Sequence, residues 1–200
     1  MKQKLAGAAI FLLCAVFVAG CSSTPSGVHG ESSMAKEFKD APDWVTNGGS
    51  NTEGLAGVGS ARIGDAGVGF ARTEAMAMAR AEMARQIQVK VKDLVKNFTK
   101  QIGAGEGQTV DKLSAQVSKQ VTRQSISGSR QQASWISPSS TIYTLVTVDP
   151  ERVQKYIKDS VKTSLRDDEA LWQQFQAEKG FEELDKEIRK EFGDYSAGQQ

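Results

Sequence analysis

The sequence contains few of the side chains that carry out chemistry in proteins. Its 200 residues include one histidine, His29, and two cysteines, Cys14 and Cys21. A single histidine excludes a multi-histidine zinc site, and its place in a Ser, Pro and Gly-rich segment argues against a Ser-His-Asp triad or a Cys-His pair. Two cysteines do not build a disulfide framework. We therefore expect no catalytic residue, no cofactor and no metal, and we expect that the chain is not an enzyme.

The sequence also has no large excess of positive or negative charge. The 25 Lys and Arg residues nearly balance the 24 Asp and Glu residues, so nothing in the charge indicates nucleic acid as a partner. The N-terminal apolar run, Leu5 to Val18, is shorter than the roughly 20 residues of a transmembrane helix. It follows the basic segment Met1 to Lys4 and has the length and flanks of a secretory signal. We therefore expect export of the chain.

Small residues and a cysteine end this apolar run, in the order Val18-Ala19-Gly20-Cys21. The arrangement resembles the bacterial lipobox. The resemblance implies diacylglycerol on the thiol of Cys21, signal cleavage between Gly20 and Cys21, and palmitoylation of the new amine. The alternatives are an ordinary signal peptide or an uncleaved anchor with an accidental cysteine, because small residues precede the cleavage site of both signal types.

The segment after Cys21 favours the lipid anchor. Residues 22–31 are mostly Ser, Thr, Pro and Gly, a composition typical of a flexible tether. Two or three acyl chains would hold the protein stably, since each buried CH₂ contributes ~0.8 kcal/mol. Ser22 stands where Asp often retains Gram-negative lipoproteins in the inner membrane, so the resemblance implies the outer membrane. With Cys14 in the leader and Cys21 lipidated, no thiol pair remains, and the domain must bury a core.

The clearest predicted element is a helix from about Phe70 to Ile102, because its apolar residues recur with helical spacing. Arg85, Lys92 and Lys96 point the opposite way. Several alanines keep the first half of the helix slim, which would let it lie close against a sheet. The predicted apolar stripe consists of Met76, Ala79, Met83, Ile87, Val91, Leu94, Phe98 and Ile102.

Three strands are predicted around this helix. Leu55 to Ala61 carries Gly57 and Gly59, where we expect another backbone or a helix to come close. Gln124 to Ile136 and Thr141 to Val148 would form an antiparallel hairpin, and the second of them is rich in β-branched residues.

Shorter helices complete the predicted α+β fold. One runs from about Thr109 to Thr122, and Asp149-Pro150 has the residue types of an N-cap and a first helical position for another, which ends near Ser164. The stretch Ala41-Pro42-Asp43-Trp44 is expected to be extended, because proline disfavours a helix at the preceding residue. The predicted architecture is a small antiparallel sheet packed against one long amphipathic helix.

The composition becomes strongly charged from Arg166 onward. Large apolar residues such as Trp172 and Phe175 recur in this stretch with helical spacing, and Gly180 interrupts it. Such an extension either packs back on the domain or pairs with a partner chain. The predicted organisation is a signal peptide at 1–20, a tether at 21–41, a domain at 42–165 and a charged helical extension at 166–200.

Glycines near the first strand have a functional and a structural interpretation. Gly57-Val58-Gly59 lacks the third glycine of a dinucleotide fingerprint, and no Gly-Lys-Ser/Thr follows the loop from Gly64 to Gly69. We therefore favour a tight strand-to-helix connection over a nucleotide site.

Lysines on the long helix also allow two interpretations. Lys90, Lys92, Lys96 and Lys100 could approach anionic lipid head groups. Acidic residues interrupt this basic run, so we favour a solvated helix face. Met78 falls on the same polar side and is a candidate for contact with another chain.

Four stretches, taken in order, resemble one family. They are Ala41-Pro42-Asp43-Trp44-Val45, the strand Leu55 to Ala61, the helix segment Ala75 to Ile87, and Trp135 followed by Tyr143-Thr144-Leu145-Val146. This pattern resembles the Lpp-twenty family of small bacterial outer-membrane lipoproteins, and the resemblance covers about Pro42 to Lys162.

The resemblance implies an α+β domain that is displayed from the outer membrane and faces the periplasm. Some members are associated with the flagellum and build an outer-membrane ring around the motor. The family pattern contains no catalytic residues, and Cys21 alone transfers as a modified residue. We expect a structural or protein-interaction role, with a homo-oligomer or other envelope proteins as partners. The alternative is a module that binds a small ligand or an envelope lipid between the sheet and the helices.

Overall fold

The computed structural model describes residues 34–50, 55–104, 107–177 and 179–193. A helical turn at 34–37 opens the described part. The elements that follow are α1 (Asp43–Thr46), β1 (Leu55–Arg62), α2 (Gly67–Gln101), α3 (Gln108–Ser127), β2 (Arg130–Ile136), β3 (Thr141–Val148), α4 (Pro150–Arg166), α5 (Glu169–Ala177) and α6 (Gly180–Phe192). The predicted α+β fold is confirmed.

The sheet is antiparallel and has the order β1-β3-β2. Leu55 pairs with Val148 at one end of the β1–β3 ladder, and Arg62 pairs with Thr141 at the other. The predicted hairpin of β2 and β3 is present, with a register shift between Gln131 and Ala133. β3 is the central strand, so it pairs with a strand on each side, and most of its residues are buried. This position explains its β-branched composition.

One face of the sheet lies directly under α2. A Cβ added at Gly57 would be 2.2 Å from the carbonyl oxygen of Ala79, and one added at Gly59 would be 2.1 Å from that of Ala75. No side chain fits into these spaces, so glycine is required for the helix backbone to lie this close. The expectation that a helix approaches these two glycines is confirmed. Beside this contact, Val146 of β3 is fully buried.

Helix α2 is 35 residues long, which gives a length of about 52 Å at 1.5 Å per residue. Seven of the eight residues in the predicted stripe are fully buried, and Met76 is half-buried. The helix starts at Gly67 instead of Phe70. Glycine at a first turn is tolerated better than in a helix interior, because few intrahelical bonds depend on it there.

Two local predictions were wrong. Residues 124–127, expected to be strand, continue α3, and Ser125 is buried one turn after Val121. The buried face of the helix therefore continues past Val121 through a polar residue. The segment expected to be extended at Ala41 to Trp44 instead leads into α1, with Pro42 as the N-cap residue. Proline restricts the residue before it but is compatible with a helix that begins after it.

Helix α4 begins as the sequence predicts. The side chain of Asp149 accepts a hydrogen bond from the Glu151 N–H at 3.0 Å, and Pro150 occupies the first turn. This N-cap satisfies a backbone donor that has no partner within the helix. The helix then continues to Arg166, two residues beyond the expected end near Ser164.

The charged C-terminal stretch forms α5 and α6, which pack back on the domain. The rings of Phe98 on α2 and Phe175 on α5 meet edge-on at 5.9 Å, and Leu184 and Ile188 of α6 are buried in the same core. Gln101 Nε2 also donates a hydrogen bond of 2.6 Å to Glu187, a carboxylate that α6 buries against α2. Most of the large apolar residues in the described part of the extension are therefore buried against the same chain.

The contact of β1 with α2 leads to a stability prediction. We expect Gly59→Ala to destabilise the protein by about 1–3 kcal/mol or more, because the new methyl group would force the helix away from the strand. Thermal or urea denaturation measures the loss. Gly64→Ala is the matched control, since a Cβ there meets nothing within 4 Å. Equal stability of the two variants would contradict the close-contact account.

Candidate functional site

The predicted site of modification lies outside the described residues. This applies to Cys21, to Gly20 on the other side of the cleavage point, and to His29. The described chain starts at Met34. The structure therefore describes the folded domain that the predicted anchor would carry, and the N-terminal segment through which the chain enters this domain.

The chain reaches the body at the β2–β3 turn. The Ser139 hydroxyl of this turn donates a hydrogen bond of 2.6 Å to Glu37. One residue later, the ring of Phe38 meets the ring of Tyr143 edge-on at 6.0 Å, and Tyr143 lies 5.6 Å from the ring of Trp135. The N-terminal segment thus packs on the face of the sheet opposite α2. Trp135 and Tyr143 were predicted as strand residues, but no sequence signal indicated Phe38 as their neighbour.

Two ionisable groups in this contact have altered acidities. Hydrogen bonds from Ser137 and Ser139 lower the pKa of Glu37. Burial raises the pKa of the Tyr143 hydroxyl, and the negative charge of Glu37 raises it further. The contact between the N-terminal segment and the hairpin thus brings the Glu37 carboxylate close enough to affect the pKa of Tyr143.

The described residues hold no group of three or more His, Cys, Asp or Glu side chains that could bind a metal ion. The glycines weighed as a nucleotide loop also have another role, because the backbone of α2 fills the space beside Gly57 and Gly59. A phosphate group has no access at these positions. Among the described helices, none is long and apolar enough to cross a bilayer.

Lysines of the basic run on α2 contact other parts of the same chain. Lys90 Nζ donates to the Glu191 carbonyl at 3.2 Å and lies 5.5 Å from the centre of the Phe192 ring. Lys96 Nζ lies 2.9 Å from a carboxylate oxygen of Asp111 on α3. These contacts connect α2 with α3 and α6, so this part of the run is not simply a solvated face. Exposed ion pairs of this kind contribute little to stability.

The free edge of β1 is a surface suited to contact with another chain. Among the described residues, β1 pairs on one side with β3, and no strand pairs on its other side. Met78 lies above this strand, because its Cβ is 2.9 Å from the position that a Cβ added at Gly59 would take. The side chain of Met78 is exposed. We call β1 together with Met78 the β1 edge surface. Unpaired strand edges are ready templates for association.

The contact of Glu37 with the hairpin gives a pH prediction. The pKa of Glu37 is lowered in the folded protein, so the contact contributes above the ordinary carboxyl pKa of 4.5 and is lost as the pH falls through the lowered value. We expect NMR titration to find a pKa for Glu37 below 4.5, and Ser139→Ala to raise it. Ser134→Ala, on the other face of the hairpin, is the control. An unchanged pKa in the Ser139 variant would contradict the assignment.

Comparison with known proteins identifies the family. No curated protein sequence matches the chain. A family model described as LPP20 lipoprotein matches residues 42–149, more than half of the 200 residues. The match runs from the N-cap residue of α1 to the N-cap residue of α4 and is shorter than the resemblance to Lys162 noted in the sequence. The chain therefore belongs to the LPP20 lipoprotein family, the Lpp-twenty family expected from its sequence, and is a lipoprotein of the cell envelope.

Proposed function

We propose that this chain is anchored to the outer membrane through lipid on Cys21 and presents its α+β domain to other proteins of the envelope. The family match carries the proposal, because it begins at residue 42, after a predicted leader, lipobox and tether in the order that a lipoprotein requires. The domain would face the periplasm. Its role is structural or interactive, without catalysis.

The anchor has a defined chemistry. The thiol of Cys21 would carry diacylglycerol through a thioether, and the amine released by cleavage after Gly20 would carry palmitate. Several acyl chains on one residue give stable anchoring, whereas a single chain gives marginal, reversible binding. Ser22 supports the outer membrane as the destination.

The body supports an interaction role better than a ligand-binding role. The space between the sheet and α2, where a small ligand or an envelope lipid would bind, is occupied at Gly57 and Gly59 by the helix backbone. Val146 and Met83 fill it further along and are fully buried. The outer side of β1, in contrast, pairs with no strand in the described structure, and Met78 above it is exposed.

A second copy of this chain is the partner that suits the β1 edge surface best. A free strand edge can pair with the same edge of another copy about a two-fold axis, so one surface serves both subunits. Attachment to one membrane would also concentrate the copies. Some family members build a ring around the flagellar motor, and assembly of this chain into such a ring would be one specific form of the proposed role. Deletion of the gene tests this form, because loss of the ring would abolish swimming.

Metabolic labelling tests the anchor. We expect wild-type protein to incorporate palmitate and to fractionate with the outer membrane, whereas Cys21→Ala incorporates none, because the thioether and the cleavage both require the thiol. Ser22→Ala is the matched control and should behave as wild type. An unlabelled wild-type protein, or a mature chain with an intact leader, would refute the proposed anchor.

Light scattering in detergent, corrected for the micelle, tests the partner. We expect wild-type protein to form an oligomer and Met78→Glu to lower its mass toward that of the monomer, because a charge would be placed over the paired edge. Val89→Glu changes another exposed apolar residue of α2 and should leave the mass unchanged. A monomeric wild type, or equal effects of the two variants, would count against this surface.

A further inference from the structure

Three connections of the domain meet at one end of the sheet. Residues 34–40 contact the β2–β3 turn through the hydrogen bond between Glu37 and Ser139. The β1–α2 loop contacts the same turn, since the Ile63 N–H donates to the Ser140 carbonyl at 2.8 Å. We call residues 34–40, 63–66 and 137–140 the hairpin end.

Exposed apolar side chains concentrate at and next to the hairpin end. Met34 begins the described chain, Ile136 is the last residue of β2, and Val68 and Phe70 lie in the first turn of α2 after the loop. These four belong to a set of seven large apolar side chains that are exposed in the described residues, and the other three are Met78, Val89 and Phe181. Neither sheet pairing nor core packing requires apolar residues at these four exposed positions.

We infer that the hairpin end faces the membrane and that Val68, Phe70 and Ile136 insert at the lipid head-group boundary. The inference rests on the proposed lipid anchor. Residues 22–33 separate Cys21 from Met34, and the 13 steps along the chain between these two residues reach at most about 45 Å when fully extended. The chain joins the body at the hairpin end, so this end of the domain can approach the bilayer with the shortest tether.

The charges near the hairpin end are balanced, which defines the kind of membrane contact. A polybasic surface would bind through anionic lipids, but here basic and acidic side chains are equal in number, so insertion of apolar groups drives the contact. The charged residues in this region are Lys36, Lys39, Arg62 and Arg72 against Glu37, Asp40, Asp65 and Glu74.

Site-specific fluorescence on the lipidated protein tests the inference. The mature protein has no free thiol when Cys21 is lipidated, so an introduced cysteine can be labelled selectively with an environment-sensitive dye. Phe70→Cys and Val68→Cys place the dye at the proposed contact. Val89→Cys is the matched control, because Val89 is 61% exposed and Phe70 56% exposed on the same helix, and 19 residues of helix separate them by about 28 Å.

In vesicles of phosphatidylcholine that contain spin-labelled lipid, we expect the dye at positions 68 and 70 to shift to shorter wavelength and to be quenched at least twofold more than the dye at position 89. Adding phosphatidylglycerol should change this ratio little. Equal quenching at positions 70 and 89, or none at 68 and 70, overturns the inference. A blue shift that grows with protein density without lipid quenching also overturns it, because a second copy would then cover these residues.

Different measurements would refute the proposed lipid anchor and the inferred orientation of the domain. Mass spectrometry of the same samples reports whether Cys21 carries lipid, and flotation reports whether the protein is bound to vesicles. Absence of the lipid refutes the proposed function. A lipidated, vesicle-bound protein with no quenching at positions 68 and 70 refutes the inferred orientation alone.

Discussion

The close contact between α2 and β1 is the constraint on which the rest of the fold depends. Gly57 and Gly59 remove side chains from the strand where the backbone carbonyls of Ala75 and Ala79 approach it. Because the helix lies so near the sheet, the inward-facing residues of β3 are covered by the same helix. The same contact fills the groove that a ligand would need, so the packing of the core bears directly on the function of the protein.

The second half of α2 organises the helices that follow. Phe98 and its neighbours on the buried stripe share one core with α3, α4, α5 and α6. The family match ends at residue 149, yet α5 and α6 contact the same long helix through Phe175 and Glu187, and α4 packs on α3. The charged character of the C-terminal stretch therefore reflects its solvent-facing sides, whereas Phe175 and Phe192 belong to the interior. In this chain the helices beyond the matched residues share one core with the matched part.

Anchoring and folding depend on separate parts of the chain. The proposed anchor requires a thiol and small residues in a short N-terminal motif, while the body requires glycines, alanines and a long apolar stripe. The two parts meet where residues 34–40 contact the β2–β3 turn through Glu37 and Phe38. This contact gives the body a defined side toward the tether. A lipoprotein whose domain is joined to its tether in this way can present the opposite surfaces to partners.

Local patterns were sufficient to predict the elements that depend on neighbouring residues. The stripe of α2, the N-cap Asp149 and the β-branched strand β3 all follow from residues within a few positions of one another, because helical spacing, capping and strand propensity are short-range effects. Long-range packing alone decided the continuation of α3 through Ser125 and the burial of α5 and α6. It also decided the contacts of Lys90 and Lys96 with other helices and the contact of Phe38 with Tyr143. In each of these cases the stability of the local arrangement depends on a contact with a residue far away in the sequence. Only the folded chain brings the two residues together.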